Sequence, residues 1–212
     1  MEEAKDFNKY TSKVNFAPIT DFVLQNGQLT QYQKGDFFCR QNESCKLMGY
    51  VAEGSFRYCC TNSRGENKIV GYTFEHSFVG NYPAFRLGDN SNVDIQAICN
   101  CTVYIVNNRQ LEEFYDRDDT NLKLGRHIAE ILLWEVYERM ISMYSMTPEE
   151  RYREILERCP GLLNLISLKE LASYLMICPE TLSRLRRKLV QKLNLDFSQD
   201  SFVPIPIPLC KH

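Results

Sequence analysis

The sequence predicts an α+β protein: a β jelly-roll barrel in the N-terminal half, one long helix, and a small helical domain at the C-terminus. Three observations predict it. Short apolar or alternating runs, broken by turns bearing Gly and Asn, fill residues 29–106. An apolar period of three and four residues then runs from about 121 to 146, and two capped helical stretches with a tight break between them lie between Ser167 and Leu195. The expected division is 1–118 for the barrel domain, 119–146 for the long helix, 147–199 for a helix-turn-helix domain and 200–212 for a Pro-rich tail.

Composition narrows the class. Of 212 residues, 44% are hydrophobic and 25% charged, which are ordinary values for a globular chain. The first residues, Met-Glu-Glu-Ala-Lys-Asp-Phe, are acidic without an apolar stretch, and no run of about 18 apolar residues occurs. The expectation is a cytoplasmic protein with no membrane partner. Nine cysteines, an odd number without scaffold spacing, point to reduced thiols rather than a disulfide framework. Cys59-Cys60 and Cys99-x-Cys101 sit in strand-like sequence with no neighbouring ligands to complete a metal set, so no metal is expected.

In chain order, Phe7, Tyr10, Val14, Phe16, Phe22 and Leu24 anchor helical segments ahead of the strands. Strand-like runs from Leu29 to about Val106 argue for a β-sandwich or jelly-roll barrel, and such a barrel has a ligand-sized mouth. In the long helix, Leu124, Ile128, Ile131, Leu132, Val136, Met140 and Met143 mark an apolar face, broadened by Trp134, Tyr137, Ile141 and Tyr144. About 26 residues make a helix of about 39 Å. So long an apolar face predicts pairing with the same helix of a second subunit, and hence a homodimer.

Thr147-Pro148-Glu149-Glu150 opens a further helix with a capping box and Pro at its first position, and Cys159-Pro160-Gly161 ends it. Ser167 and Glu170 form another capping box, after which Leu168, Leu171, Ala172 and Leu175 fall on one face. Pro179 restarts the chain as the first residue of the next helix, whose apolar stripe is Leu182, Leu185, Leu189 and Leu193. Glu180, Ser183, Arg184, Arg187 and Gln191 project together on the other side. Met176 occupies the turn position where a left-handed residue, usually Gly, is wanted.

Between Ser167 and Leu195 six basic residues stand against two acidic ones, while the whole chain is formally −2. A basic stripe beside a protruding helix supplies phosphate contacts. Arg184 suits the major-groove edge of guanine and Glu180 the amino group of cytosine, with Ser183 and Arg187 on the same reading face. Lys169, Thr181, Arg186 and Lys188 are assigned to phosphates. The expected partner is double-stranded DNA.

This order of parts resembles the cyclic AMP receptor protein and fumarate-nitrate regulator (Crp/Fnr) family of bacterial transcription regulators, from about Tyr32 to Gln199. Lys34-Gly35-Asp36 and Glu53-Gly54-Ser55 resemble its turn glycines, Gly65-Glu66-Asn67 its hairpin tip, and Phe78-Val79-Gly80 the start of its phosphate-binding cassette. Glu180, Thr181 and Arg184 match its Glu-Thr-x-x-Arg recognition core. The resemblance implies a cyclic-nucleotide-binding-like barrel, a dimerisation helix, a helix-turn-helix and a contact with RNA polymerase.

The departures matter as much. Where the cyclic AMP binders of the family carry Glu and an Arg-Ser/Thr pair, this chain carries Asn81 and Ser91-Asn92, with Arg86 as the nearest guanidinium. A buried phosphate then lacks its main compensation, so cyclic AMP is not expected. The candidate effector pocket comprises Gly80, Asn81, Tyr82, Arg86, Ser91 and Asn92, for a different small molecule or none. Residues 1–38 lack cysteine, which excludes the family's N-terminal iron–sulfur cluster, and Pro179 replaces its base-contacting Arg.

Two other classes fit the sequence less well. A cupin-type enzyme needs clustered ligands, and His76, His127 and His212 are too scattered. A ligand-binding module acting through protein partners without DNA leaves the basic helix without a purpose.

Overall fold

The computed structural model describes residues 7–196; the side chains of Lys9, Thr11 and residues 190–196 lie outside that description. The expected Pro-rich tail at 200–212, and the side chains of Gln191, Lys192 and Leu193, therefore lie outside the described residues.

A short 3-10 turn at Lys9–Ser12 leads into α1 (Ala17–Asn26), which opens with Pro18 and buries Ile19, Phe22 and Val23. The strands are β1 (Gln28–Tyr32), β2 (Phe37–Cys39), β3 (Leu47–Glu53), β4 (Phe56–Thr61), β5 (Asn67–Thr73), β6 (Phe78–Val79), β7 (Asp94–Ala97) and β8 (Cys101–Asn107), with α2 (Tyr82–Leu87) between β6 and β7. Then come α3 (Asn108–Tyr115), α4 (Asp119–Ser145), α5 (Pro148–Arg158), α6 (Leu162–Leu165), α7 (Leu168–Tyr174) and α8 (Pro179–Asp196).

The strands form two antiparallel four-stranded sheets, ordered β1-β8-β3-β6 and β2-β7-β4-β5. Of the sandwich or jelly-roll barrel expected, the structure shows an open sandwich rather than a closed barrel. Among the described residues no strand pairs across the two sheets, because two of the outermost strands, β2 and β6, are only three and two residues long. Alternation places Val51, Phe56, Val79, Ile95 and Val103 between the sheets, each essentially free of solvent. At the Glu53-Gly54-Ser55 turn, Gly54 has φ +91°, and a Cβ there would lie 2.6 Å from Cys101 Sγ; only glycine fits.

Helix α4 begins at an Asp118 cap and leans on α3 at Gly125, where an added Cβ would come within 2.8 Å of the Tyr115 ring. That close approach fixes the helix's rotation. Leu124, Ile128, Ile131 and Leu132 consequently pack against the sandwich core of their own chain. Leu133, Trp134, Val136, Tyr137, Met140, Ile141 and Tyr144 remain exposed. Of the seven residues expected at a dimer seam, only Val136, Met140 and Met143 face outward, so the surface open to a partner is rotated towards Leu133 and Tyr137.

The capping boxes expected at Thr147/Glu150 and Ser167/Glu170 both form, opening α5 and α7. Leu162, Leu171, Ala172 and Leu182 are fully buried in a second core. That core is shared with the sandwich, since Cys59, Ile69, Tyr72 and Phe74 belong to it. Met176 adopts φ +57° in the turn between α7 and α8 and is largely exposed. Left-handed backbone costs an L-residue about 1–2 kcal/mol, partly offset by the greater freedom of an unfolded glycine. Met176→Gly is expected to raise the unfolding free energy by about 0.5–1 kcal/mol, read as a higher denaturant midpoint.

Candidate nucleic-acid interface and effector cavity

Leu182 anchors α8 in the second core, and Leu185 and Leu189 follow it on the same face. The helical period then forces Glu180, Ser183, Arg184, Arg187 and Lys188 outward, and all five are exposed. Arg184 donates to the Thr181 hydroxyl at 3.2 Å, so the Thr181 oxygen steadies the guanidinium from the preceding turn. The Lys188 amine lies 2.7 Å from Glu149 on α5, and Arg153 shares that carboxylate at 3.3 Å. Lys169 is exposed in the first turn of α7. Arg186 differs from expectation: it is half-buried and hydrogen-bonds Tyr152, because it falls between the apolar stripe and the polar face.

The cassette residues close on one another. The Gly80 amide donates to the Tyr58 hydroxyl at 3.1 Å, and that hydroxyl also pairs with Thr73 at 3.0 Å. The Asn81 side-chain amide donates to Ser91 at 3.1 Å and to Asn92 at 2.8 Å. Ser91, almost fully buried, donates in turn to the Val93 carbonyl at 2.6 Å. Arg86 points away to α3, donating to Asn108 at 2.7 Å and lying 3.7 Å from Glu112. Donors that would meet a phosphate are thus already paired within the chain.

Tyr58 is the cassette residue that sequence reasoning missed. It sits on β4, about 22 residues from Gly80, and only the sheet pairing brings it there. Beside this network Cys39 and Cys45 share a hydrogen bond that brings the Cys39 thiol down to about 7 and, with burial, pushes Cys45 well up. Among the described residues no cluster of three or more His, Cys, Asp or Glu is placed to hold a metal.

A cavity of about 790 Å³ opens beside the cassette. Gly80, Asn81, Tyr82, Arg86 and Asn92 line one end, whereas Ser91 is sealed behind them. α4 forms a wall through Ala129, Leu132 and Val136, and Arg151, Arg158 and Tyr174 close the far end.

The C-terminal helices are fastened to the sandwich close by. Arg57 on β4 meets Glu170 on α7 at 2.7 Å, and the Ile69 amide of β5 donates to Ser173 at 3.0 Å. Burial raises the Glu170 carboxyl, but donation from Ser167 and from Arg57 outweighs it and holds the group below its ordinary value. Phe7 wedges between the layers, with ring centroids 5.6 Å from Tyr72 and 5.2 Å from Tyr174. The sequence carries no signal for this docking, whose partners are 113 and 104 residues apart.

Comparison with protein families matches residues 29–118 to the cyclic nucleotide-binding domain. Comparison with curated proteins returns no match. Solved structures match the fold over most of the chain. FixK2 from Bradyrhizobium japonicum superposes with a TM-score of 0.63 at 18% identity, covering 78% of this chain and 85% of its own. The c-di-GMP-responsive global regulator CLP of Xanthomonas campestris gives 0.62 at 17% identity, covering 84% and 93%. A transcriptional regulator of the Crp/Fnr family from Eubacterium rectale gives 0.63 at 13% identity, covering 88% of each chain. The fold is that of Crp/Fnr regulators, a cyclic nucleotide-binding domain followed by helices. Among the described residues no helix is long and apolar enough to cross a membrane.

Proposed function

We propose that the protein is a sequence-specific, DNA-binding transcription regulator that works as a homodimer and answers to a small effector other than cyclic AMP, or to none. The observation that carries the reading is the outward face of α8. Glu180, Ser183, Arg184 and Arg187 stand together in solvent while Leu182, Leu185 and Leu189 hold the helix from behind. Such a helix fits the major groove, which admits an α-helix and presents a distinct pattern for each base pair. The preceding helix α7 and its tight turn complete a helix-turn-helix. The fold shared with FixK2, CLP and the Eubacterium rectale regulator supports the same reading.

On this reading 1–118 is the effector domain, 119–146 the dimerisation helix and 147–199 the DNA-binding domain. The exposed strip on α4, with Leu133 and Val136 each about two-thirds or more exposed, supports a second copy as the occupant. A strip that pairs with its own copy does so about a two-fold axis, and two recognition helices would then read half-sites about 34 Å apart. The paired cassette supports loss of ordinary cyclic AMP binding. Contact with RNA polymerase rests on the family resemblance alone.

Selection of duplexes from a random pool by the purified protein, with the salt dependence of the winners recorded, tests the reading. A two-fold symmetric consensus is expected. Enrichment of no sequence, with and without cell metabolites, would set the reading aside in favour of a module acting through protein partners. Two variants separate roles on the winning site. Arg184→Ala is expected to cost about 1–3 kcal/mol and relax preference at one position. Lys188→Ala is expected to weaken all sequences alike and lower the salt slope by about one. Because Glu149 holds the Lys188 amine, and exposed pairs contribute only about 0.2–1 kcal/mol, that amine is readily released to a phosphate.

A further inference from the structure

Three buried side-chain atoms lack a hydrogen-bond partner among the described residues: Tyr72 Oη, Arg151 Nε and Arg158 Nε. All three belong to residues lining the cavity described above. Buried polar groups in folded proteins are rarely left unpaired, so their concentration in one place suits a bound molecule. All three can donate. The ligand they suit therefore brings acceptors.

The arrangement sets where those acceptors sit. Arg151 already spends both terminal nitrogens on the Met146 and Leu175 carbonyls, at 2.7 and 3.2 Å. The Tyr115 hydroxyl shares a hydrogen bond with that of Tyr82. Arg158 is the less committed group, since its ion pair with Glu154 is long at 3.9 Å and its guanidinium rests 5.9 Å from the Phe7 ring. Phe7 in turn touches Tyr72, so the Arg158 and Tyr72 donors flank one ring. From there to the cassette the lining is mostly aromatic and aliphatic, with Leu132, Phe16 and Phe78 along the way; Glu135 and Glu138 also line it, and Arg139 is engaged by the Tyr174 carbonyl at 3.2 Å and ring at 3.8 Å. Arg86, at the cassette end, is held by Asn108.

We propose that this cavity binds a hydrophobic monocarboxylic acid, its carboxylate on Arg158 and its apolar body lying along α4 towards Phe78. A volume of about 790 Å³ is within the range of small-molecule sites. A carboxylate on a guanidinium forms the strong, charge-assisted class of hydrogen bond, and the mostly apolar lining favours an apolar body over a ribose and phosphate. Because Arg158 and Tyr174 belong to α5 and α7, the acid would touch the sandwich and the C-terminal helices together. The proposal rests on reading the N-terminal domain as a sensor. Its test uses no DNA, so its failure leaves the DNA-binding reading standing.

The test is calorimetric titration of the full chain with decanoate, decanamide, decan-1-ol and cyclic AMP. Decanoate is expected to bind saturably, one per chain, at least tenfold more tightly than the neutral amide or alcohol and than cyclic AMP. Arg158→Gln is expected to erase the preference for the acid without moving the melting temperature of the unliganded protein. Should that variant fail to fold, Ala129→Phe, which fills the cavity from the exposed side of α4, is expected to weaken decanoate at least tenfold. No saturable decanoate binding, equal binding of acid and amide by the wild-type chain, or undiminished binding by the Ala129→Phe variant overturns the proposal.

Discussion

Val136→Glu is expected to turn a dimer into a monomer and to lower affinity for a two-fold symmetric duplex by about 10²–10⁴-fold. Val136 is 67% exposed on its own chain, so the change removes little packing within the protomer and should move its stability by no more than about 0.5 kcal/mol. Across a two-fold axis the effect is larger. Two carboxylates would be buried near one another in an apolar seam without partners, which a weak association cannot sustain. Once the subunits part, each recognition helix binds its half-site alone, and the effective concentration that linked the two events is lost. Sedimentation read beside duplex titration checks both halves of the expectation. A dimeric mass with unchanged affinity would show that the second copy sits elsewhere. Ile128→Glu is the contrasting change, since Ile128 is buried against its own sandwich and its replacement should unfold the protomer.

Leu182→Ala carries the second large effect, a loss of about 2–5 kcal/mol of stability. Leu182 is fully buried and lies in the cluster formed by Leu171 and Ala172 of α7, Tyr152 and Ile155 of α5, and the sandwich residues Ile69 and Tyr72. Removing its isobutyl group leaves a hole lined by elements that cannot collapse independently, because the α5 and α7 capping boxes and the Arg57–Glu170 pair hold them. α8 would then lose its purchase, and sequence-specific binding should fall with it although no DNA-facing atom has changed. Denaturant unfolding followed by circular dichroism, with Ser183→Ala as an exposed control, reads the difference. A midpoint for Leu182→Ala equal to that of the control would remove the second core from the account of how the recognition helix is held.

What could be read from the chain and what could not divides along sequence separation. The boxes at Thr147/Glu150 and Ser167/Glu170, Pro179 at the start of α8, and the left-handed turn at Met176 were legible because each is settled by residues three or four apart. The polar face of α8 followed from period alone. The rotation of α4 did not, since that helix is apolar on most sides and periodicity cannot tell a seam against one's own core from a seam against a partner; Gly125 against Tyr115 decides it. The sandwich could not be told from a barrel because closure depends on whether very short strands find partners, and β6 is too brief to do so. In the candidate pocket, Gly80, Asn81, Tyr82, Arg86 and Asn92 do meet one cavity. Their mutual pairing, the intrusion of Tyr58 and the arginines at the far end depend on contacts between distant strands and helices.

The bond from the Ile69 amide to Ser173 has a consequence for solubility. β5 is the outermost strand of its sheet, and an uncovered strand offers its amides and carbonyls to any other extended chain. α7 lies over that margin, so the helices proposed to carry the recognition surface also shield the sheet from pairing with a neighbour's. A movement that frees the helices from β5 would expose a template for edge-to-edge aggregation, which gives the docked arrangement a protective role separate from any part in regulation.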